Sequence, residues 1–162
     1  MNFKFKLSRR LALIKAALVA STALALACDR TDLTSPQPPP RPLAADVTTS
    51  LPVLSVTASG YQDPNVPQNT LDNNLASRWS AYGDGQWIRY DLGALTATNA
   101  VSIAWYLGDT RSAHFDIQVS LDTVTWTTVF SGQSSGLTLQ LETYAFPPVA
   151  ARYLRKIGRA HV

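Results

Sequence analysis

Two sets of polar residues in this sequence have the types and spacing to hold a ligand. Tyr82 lies in the loop Ala81-Tyr82-Gly83-Asp84-Gly85, and Asp109, Arg111 and His114 follow Gly108 between two apolar runs. An aromatic face beside fixed donors and acceptors suits a polyhydroxylated ligand, whose C–H patches lie on the ring while polar groups hold its hydroxyls. If that ligand is acidic, Arg111 can meet a carboxylate with two parallel N–H groups. The competing reading is local: Asp109 and Arg111 pair across a turn, and His114 only opens a strand. The second set is Asp72, Asn74 and Ser77 in the loop 69–80. Together with turn carbonyls they offer the oxygen donors that a hard cation such as Ca²⁺ takes, in a structural role. The same residues also suit an Asx-rich turn that satisfies its own amides, and the sequence leaves both open.

Neither set is a catalytic machine. Catalysis would need a nucleophile beside a base, a carboxylate pair, or a metal with an open position. Only His114 and His161 are histidines, and no G-x-S-x-G, H-E-x-x-H or Gly-rich phosphate loop is present. The expectation is a binding domain without catalysis of its own.

Charge narrows the partner. The chain carries a formal net charge of +3. Between residues 44 and 156, however, six Lys and Arg face nine Asp and Glu, a net of −3, and Lys4, Lys6, Arg9 and Arg10 supply much of the remainder. A domain without a Lys/Arg stripe lacks the footprint of a nucleic-acid binder.

The elements that must position these residues are strands. Short runs with period-two alternation or β-branched and aromatic residues are separated by Gly, Pro, Asn, Asp and Ser. The pattern predicts strands over 54–58, 87–92, 100–106, 115–120, 125–130, 138–146 and 151–155, an all-β sandwich of seven strands. Trp79, Trp87, Trp126 and Phe115 are expected to pack its core, and Arg152 to pair with a carboxylate such as Asp91. Ahead of this domain (44–156), residues 1–27 form a basic stretch and an apolar run too short to span a bilayer, as in an export signal. Leu24-Ala25-Leu26-Ala27-Cys28 resembles the lipobox of bacterial lipoproteins, which would lipidate Cys28 and anchor the exported chain in a membrane. Ordinary cleavage after Ala27 would instead give a periplasmic or secreted form. Residues 28–43 hold a Pro-rich segment that favours an extended spacer.

The motifs Ser55-Val56-Thr57-Ala58-Ser59, Leu71-Asp72-Asn73-Asn74-Leu75-Ala76-Ser77-Arg78-Trp79-Ser80 and Gln86-Trp87-Ile88-Arg89-Tyr90-Asp91-Leu92-Gly93 resemble the opening half of a discoidin (coagulation factor 5/8 type C) domain. Phe115-Asp116-Ile117-Gln118-Val119-Ser120, Thr125-Trp126-Thr127-Thr128-Val129 and Ala151-Arg152-Tyr153-Leu154-Arg155 continue it. The resemblance implies a discoidin-like jelly-roll β-sandwich, often with calcium in the loop that holds Asp72, where Asn73 replaces the usual Gly. It also implies a carbohydrate-binding module for a polysaccharide or glycan, such as those appended to polysaccharide lyases and glycoside hydrolases. The stretch Gly108-Asp109-Thr110-Arg111 is similar to modules attached to alginate lyases. Two further readings stand beside it: a fragment whose catalytic domain lies downstream, and an adhesion module for protein or lipid. The family would continue past Arg155 into a last strand, whose loss leaves an open sheet edge. Residues 157–162 back-translate to the start of a common sequencing adapter, so they are expected to be an artefact that stands where that strand belongs.

Overall fold

Alternation decides the first layer. In Trp87 to Leu92 the even positions Ile88, Tyr90 and Leu92 are buried while the odd ones stay partly exposed, and in β5 Phe115, Ile117 and Val119 are buried in the same way. The computed structural model describes residues 3–10, as backbone, and 48–159. Its strands are β1 (Phe3–Arg10), β2 (Thr48–Ser50), β3 (Ser55–Ala58), β4 (Trp87–Trp105), β5 (His114–Ser120), β6 (Thr127–Gln133) and β7 (Glu142–Gly158), with one 3₁₀ turn at Pro67–Thr70. All pairs are antiparallel, in the order β2-β1-β4-β7-β5-β6, with β3 joined to β4. The fold is the expected β-sandwich.

Two expected pairs of strands are each one long strand. Residues 87–92 and 100–106 join into β4, and 138–146 and 151–155 into β7, which starts only at Glu142. The β4–β7 ladder shifts register between Asp91 and Thr96 and again between Thr98 and Ala100. Gly93, at φ 78, takes the bend, and the Asp91 carboxylate accepts its N–H at 2.8 Å. Pro147 and Pro148 sit in β7 near the second shift, where the ladder demands no N–H from them. These bulges let a strand turn the corner of the sandwich without ending. Past the bend Ala100 to Trp105 is buried on both faces.

One core results, built on Trp79, Tyr90, Ile103, Phe115 and Leu154 among others. Trp79 donates its indole N–H to the Gly60 carbonyl at 2.9 Å, and Tyr90 donates to the Thr70 hydroxyl at 3.1 Å, so both large residues enter the core with their polar atoms satisfied. Trp87 and Trp126 are not core residues, contrary to expectation. Both are half-buried, because Trp87 shares the outer face of β4 with Arg89, and the Trp126 ring lies 4.0 Å beneath the Arg155 guanidinium. The Asp91–Arg152 pair does form, with Nε and Nη2 of Arg152 at 3.1 and 3.2 Å from the two carboxylate oxygens.

The backbone of β1 lies within the stretch assigned to an export signal. It pairs with β4 from Phe3 opposite Trp105 to Ser8 opposite Ala100, along an edge that would otherwise present unpaired N–H and C=O groups. Ile157 and Gly158 continue β7 opposite Trp87, Asp116 and Phe115. The lipidation site at Cys28, the spacer up to residue 43 and residues 160–162 lie outside the described residues.

Candidate functional site

The end of β4 and the start of β7 carry two loops that hold each other. In the loop 106–113 the Leu107 carbonyl accepts the N–H groups of Thr110 and Arg111 at 3.1 and 3.0 Å, a tight helical turn. In the loop 134–141 the Thr138 N–H donates to the Gly108 carbonyl at 3.0 Å, and Ser134 and Ala113 exchange a further pair of bonds at 2.9 and 3.0 Å. A Cβ on Gly108 would stand 2.5 Å from the Thr138 carbonyl oxygen, so only glycine permits this approach. From the core side, Trp105 donates to the Tyr144 hydroxyl and Tyr144 to the Glu142 carboxylate, each at 2.9 Å. The same Glu142 oxygen accepts the Ser135 N–H at 2.9 Å, which ties the second loop to the core. Burial, with help from the Glu142 charge, pushes the Tyr144 hydroxyl well above the usual phenol range.

Against these loops lies a cleft of about 440 Å³, lined by Ser77, Arg78, Trp105, Tyr106, Leu139 and Gln140 among others. The Tyr106 ring, 42% exposed, has the Arg78 guanidinium 4.3 Å from its centroid and that of Arg111 at 5.6 Å. Among the described residues neither arginine forms an ion pair, and the buried Nε of Arg78 has no hydrogen-bond partner. Two guanidiniums on one ring, beside a mostly apolar cleft whose lining holds no carboxylate, can take an anionic group and stack a ring at once.

Of the residues singled out in the sequence, Arg111 belongs to this arrangement. Asp109 forms no ion pair with Arg111 among the described residues, so the local pairing across the turn does not occur. Tyr82 is 81% exposed in its own loop and makes no hydrogen bond or ring contact among the described residues. His114 is the half-buried first residue of β5, its backbone opposite Gln133, which places it in a strand rather than a loop. Arg78 and Tyr106 were missed. In the sequence Arg78 lies inside the motif 71–80 and Tyr106 at the end of a predicted strand; loop packing alone brings them together.

The loop that carries Arg78 also carries the oxygen set. The Asp72 carboxylate accepts the Asn74 N–H at 2.9 Å and the Asn74 side chain accepts the Ala76 N–H at 3.0 Å, so Asx turns are present. Asn73 sits at φ 57, the left-handed conformation its side chain tolerates. The Ser77 Oγ lies 2.5 Å from Asp72 Oδ2, 3.0 Å from the Asn74 carbonyl and 3.3 Å from the Asn69 carbonyl. One hydroxyl proton cannot serve three acceptors, and a converging carboxylate, two carbonyls and a hydroxyl form a donor set that fits a hard cation. No group of three or more His, Cys, Asp or Glu side chains occurs among the described residues, so carbonyls and hydroxyls would have to carry much of that coordination.

The F5/8 type C domain model matches residues 55–161. Among solved structures, the chain is similar to the CBM32 of AlyQ in complex with 4,5-unsaturated mannuronic acid, at 46% identity and TM-score 0.66, covering 68% of this chain and 84% of that one. It is also similar to a truncated AlyQ with CBM32 and alginate lyase domains, at 47% identity and TM-score 0.65, covering 67% of this chain but only 28% of that protein. A pectin-binding carbohydrate-binding module aligns at 26% identity and TM-score 0.64, over 68% of this chain and 81% of that one. No curated protein sequence matches the chain. The chain therefore belongs to the F5/8 type C domain family, and within it is a carbohydrate-binding module.

Proposed function

We propose that this module binds an acidic polysaccharide in the cleft beside Tyr106, with Arg78 and Arg111 meeting uronate carboxylates and the Tyr106 ring supporting a sugar face. The observation that carries the proposal is the pair of guanidiniums over Tyr106, 4.3 and 5.6 Å from its centroid and without a carboxylate partner. A mannuronic-acid complex and a pectin-binding module among the similar structures support the same ligand chemistry. Tyr82 and Asp109, whose side chains have no hydrogen bond or ion pair among the described residues, are further contact residues to test. In this reading the module acts by tethering, and any polysaccharide-degrading activity resides in another part of the protein. A Ca²⁺ ion held by Asp72, Ser77 and the carbonyls of Asn69 and Asn74 would fix the loop that aims Arg78. Export, with or without a lipid on Cys28, fits a role outside the cytoplasm.

Calorimetry with uronate and neutral oligosaccharides tests this. A charge-assisted hydrogen bond is worth about 1.5–3 kcal/mol, so Arg78→Ala and Arg111→Ala should each weaken uronate binding by about 10–100-fold. Equal affinity for a neutral oligosaccharide, or indifference to both substitutions, would overturn the assignment. For the cation, a melting temperature that rises with Ca²⁺ in the parent and not in Asp72→Asn is the expected result.

A further inference from the structure

A second set of arginines lies on the outer face of the sheet. Register places Thr57 opposite Arg89, Arg89 opposite Arg155, and Gln118 opposite both Arg155 and Thr128, one transverse row across β3, β4, β7, β5 and β6. The row is wired by side chains: Arg89 Nε donates to Thr57 Oγ1 at 3.2 Å, Arg155 Nε to Gln118 Oε1 at 2.7 Å, and Gln118 Nε2 to Thr128 Oγ1 at 3.0 Å. Trp87 lies under Arg89 at 5.6 Å and Trp126 under Arg155 at 4.0 Å.

Two like charges directly opposite each other in a sheet are destabilising; the row itself holds no carboxylate, and Asp91, one row away, attracts Arg89 only at longer range than its bonds to Arg152. Among the described residues neither arginine has an ion pair. The carboxylates one row away on either side are engaged, Asp91 by Arg152 and Asp116 by Ser131 and Arg159. Burial, then repulsion from Arg89, holds the Arg155 guanidinium below its ordinary value. A polyanion laid along the row would offset the repulsion between the two guanidiniums. With strands about 4.8 Å apart, the row advances by roughly the rise of one sugar per strand in an extended hexose chain.

We propose that this face is a second binding surface, for an extended carboxylated polysaccharide, on which Arg89 and Arg155, held over the Trp87 and Trp126 rings, grip carboxylates of neighbouring sugars. It is independent of the cleft beside Tyr106. The test titrates the full chain, as parent, Arg89→Gln/Arg155→Gln and Arg111→Ala, with sodium polymannuronate and with a mannuronate trisaccharide. The double variant should lose tenfold or more in affinity for the polymer, with a shallower salt dependence, and keep its affinity for the trisaccharide. Unchanged polymer affinity in that variant overturns the proposal. Insensitivity to Arg111→Ala would instead sink the cleft assignment and leave this one standing. In the parent, the polymer should shift the backbone amide resonances of Thr57, Arg89, Gln118 and Thr128, a readout free of any folding defect. Shifts confined to residues 75–78 and 106–111, or equal displacement by a DNA duplex, would refute a uronate surface here.

Discussion

Lys156 is fully buried in β7, flanked by Ile88 of β4 and Ile117 of β5, with its ammonium 5.4 Å from the Trp105 ring centroid. Burial drives its pKa from 10.5 down to about 7. Between those two values the unfolded chain holds a proton that the folded chain has given up, so raising the pH through that window stabilises the fold. The gap of about 3.5 corresponds to roughly 5 kcal/mol at neutral pH, an upper bound on the cost of keeping this amine inside. Lys156→Met fills the same volume without the charge and should raise stability at pH 7 by a few kcal/mol. The advantage should shrink by up to about 1.4 kcal/mol per pH unit and largely vanish near pH 10. Urea unfolding of both chains at pH 7, 8, 9 and 10 measures the difference directly, since every group the two chains share cancels. A gap that does not change with pH, or a variant less stable at pH 7, would refute the reasoning.

Tyr144→Phe removes the hydroxyl that accepts from the Trp105 indole and donates to the Glu142 carboxylate, and should cost about 1–3 kcal/mol in chemical denaturation. Because Tyr144 also bonds Glu142, which holds the loop 134–141, uronate binding at the cleft should weaken with it in calorimetry. The hydrogen bonds from Arg152 hold the Asp91 carboxyl below its usual range, so the stability this pair supplies is present above about pH 4 and fades as the pH falls through the lowered value. Acid melts of the parent and Arg152→Ala should accordingly differ at pH 6 and converge in strong acid. Trp79→Ala removes a fully buried ring and should cost about 3–5 kcal/mol, whereas Trp87→Ala, on the half-exposed outer face, should cost clearly less; equal losses in melting experiments would contradict that division.

How much was legible depended on whether the signal was local. Period-two alternation is local, so β3, the first half of β4 and β5 stood out in the sequence. The bends were not visible, because a bulge breaks the alternation while the ladder continues, and the residues around Gly93 and Pro147 looked like ordinary breaks between strands. Residue chemistry is local too, and it picked out Arg111; its partners Arg78 and Tyr106 are brought near only by the bond from Thr138 to Gly108 and the packing around it. Charge was legible as a sum and misleading as a map. Six basic side chains lie between residues 44 and 156. Arg152 is committed to Asp91 and Lys156 to the core. The other four, Arg78, Arg111, Arg89 and Arg155, each lie over an aromatic ring without a carboxylate partner among the described residues. A domain of net negative charge can thus present concentrated positive sites, since acids such as Asp72 and Asp122 are spent on turns and Asp91 on Arg152. Affinity for an acidic polymer follows from which charges are paired, and pairing is a property of the fold.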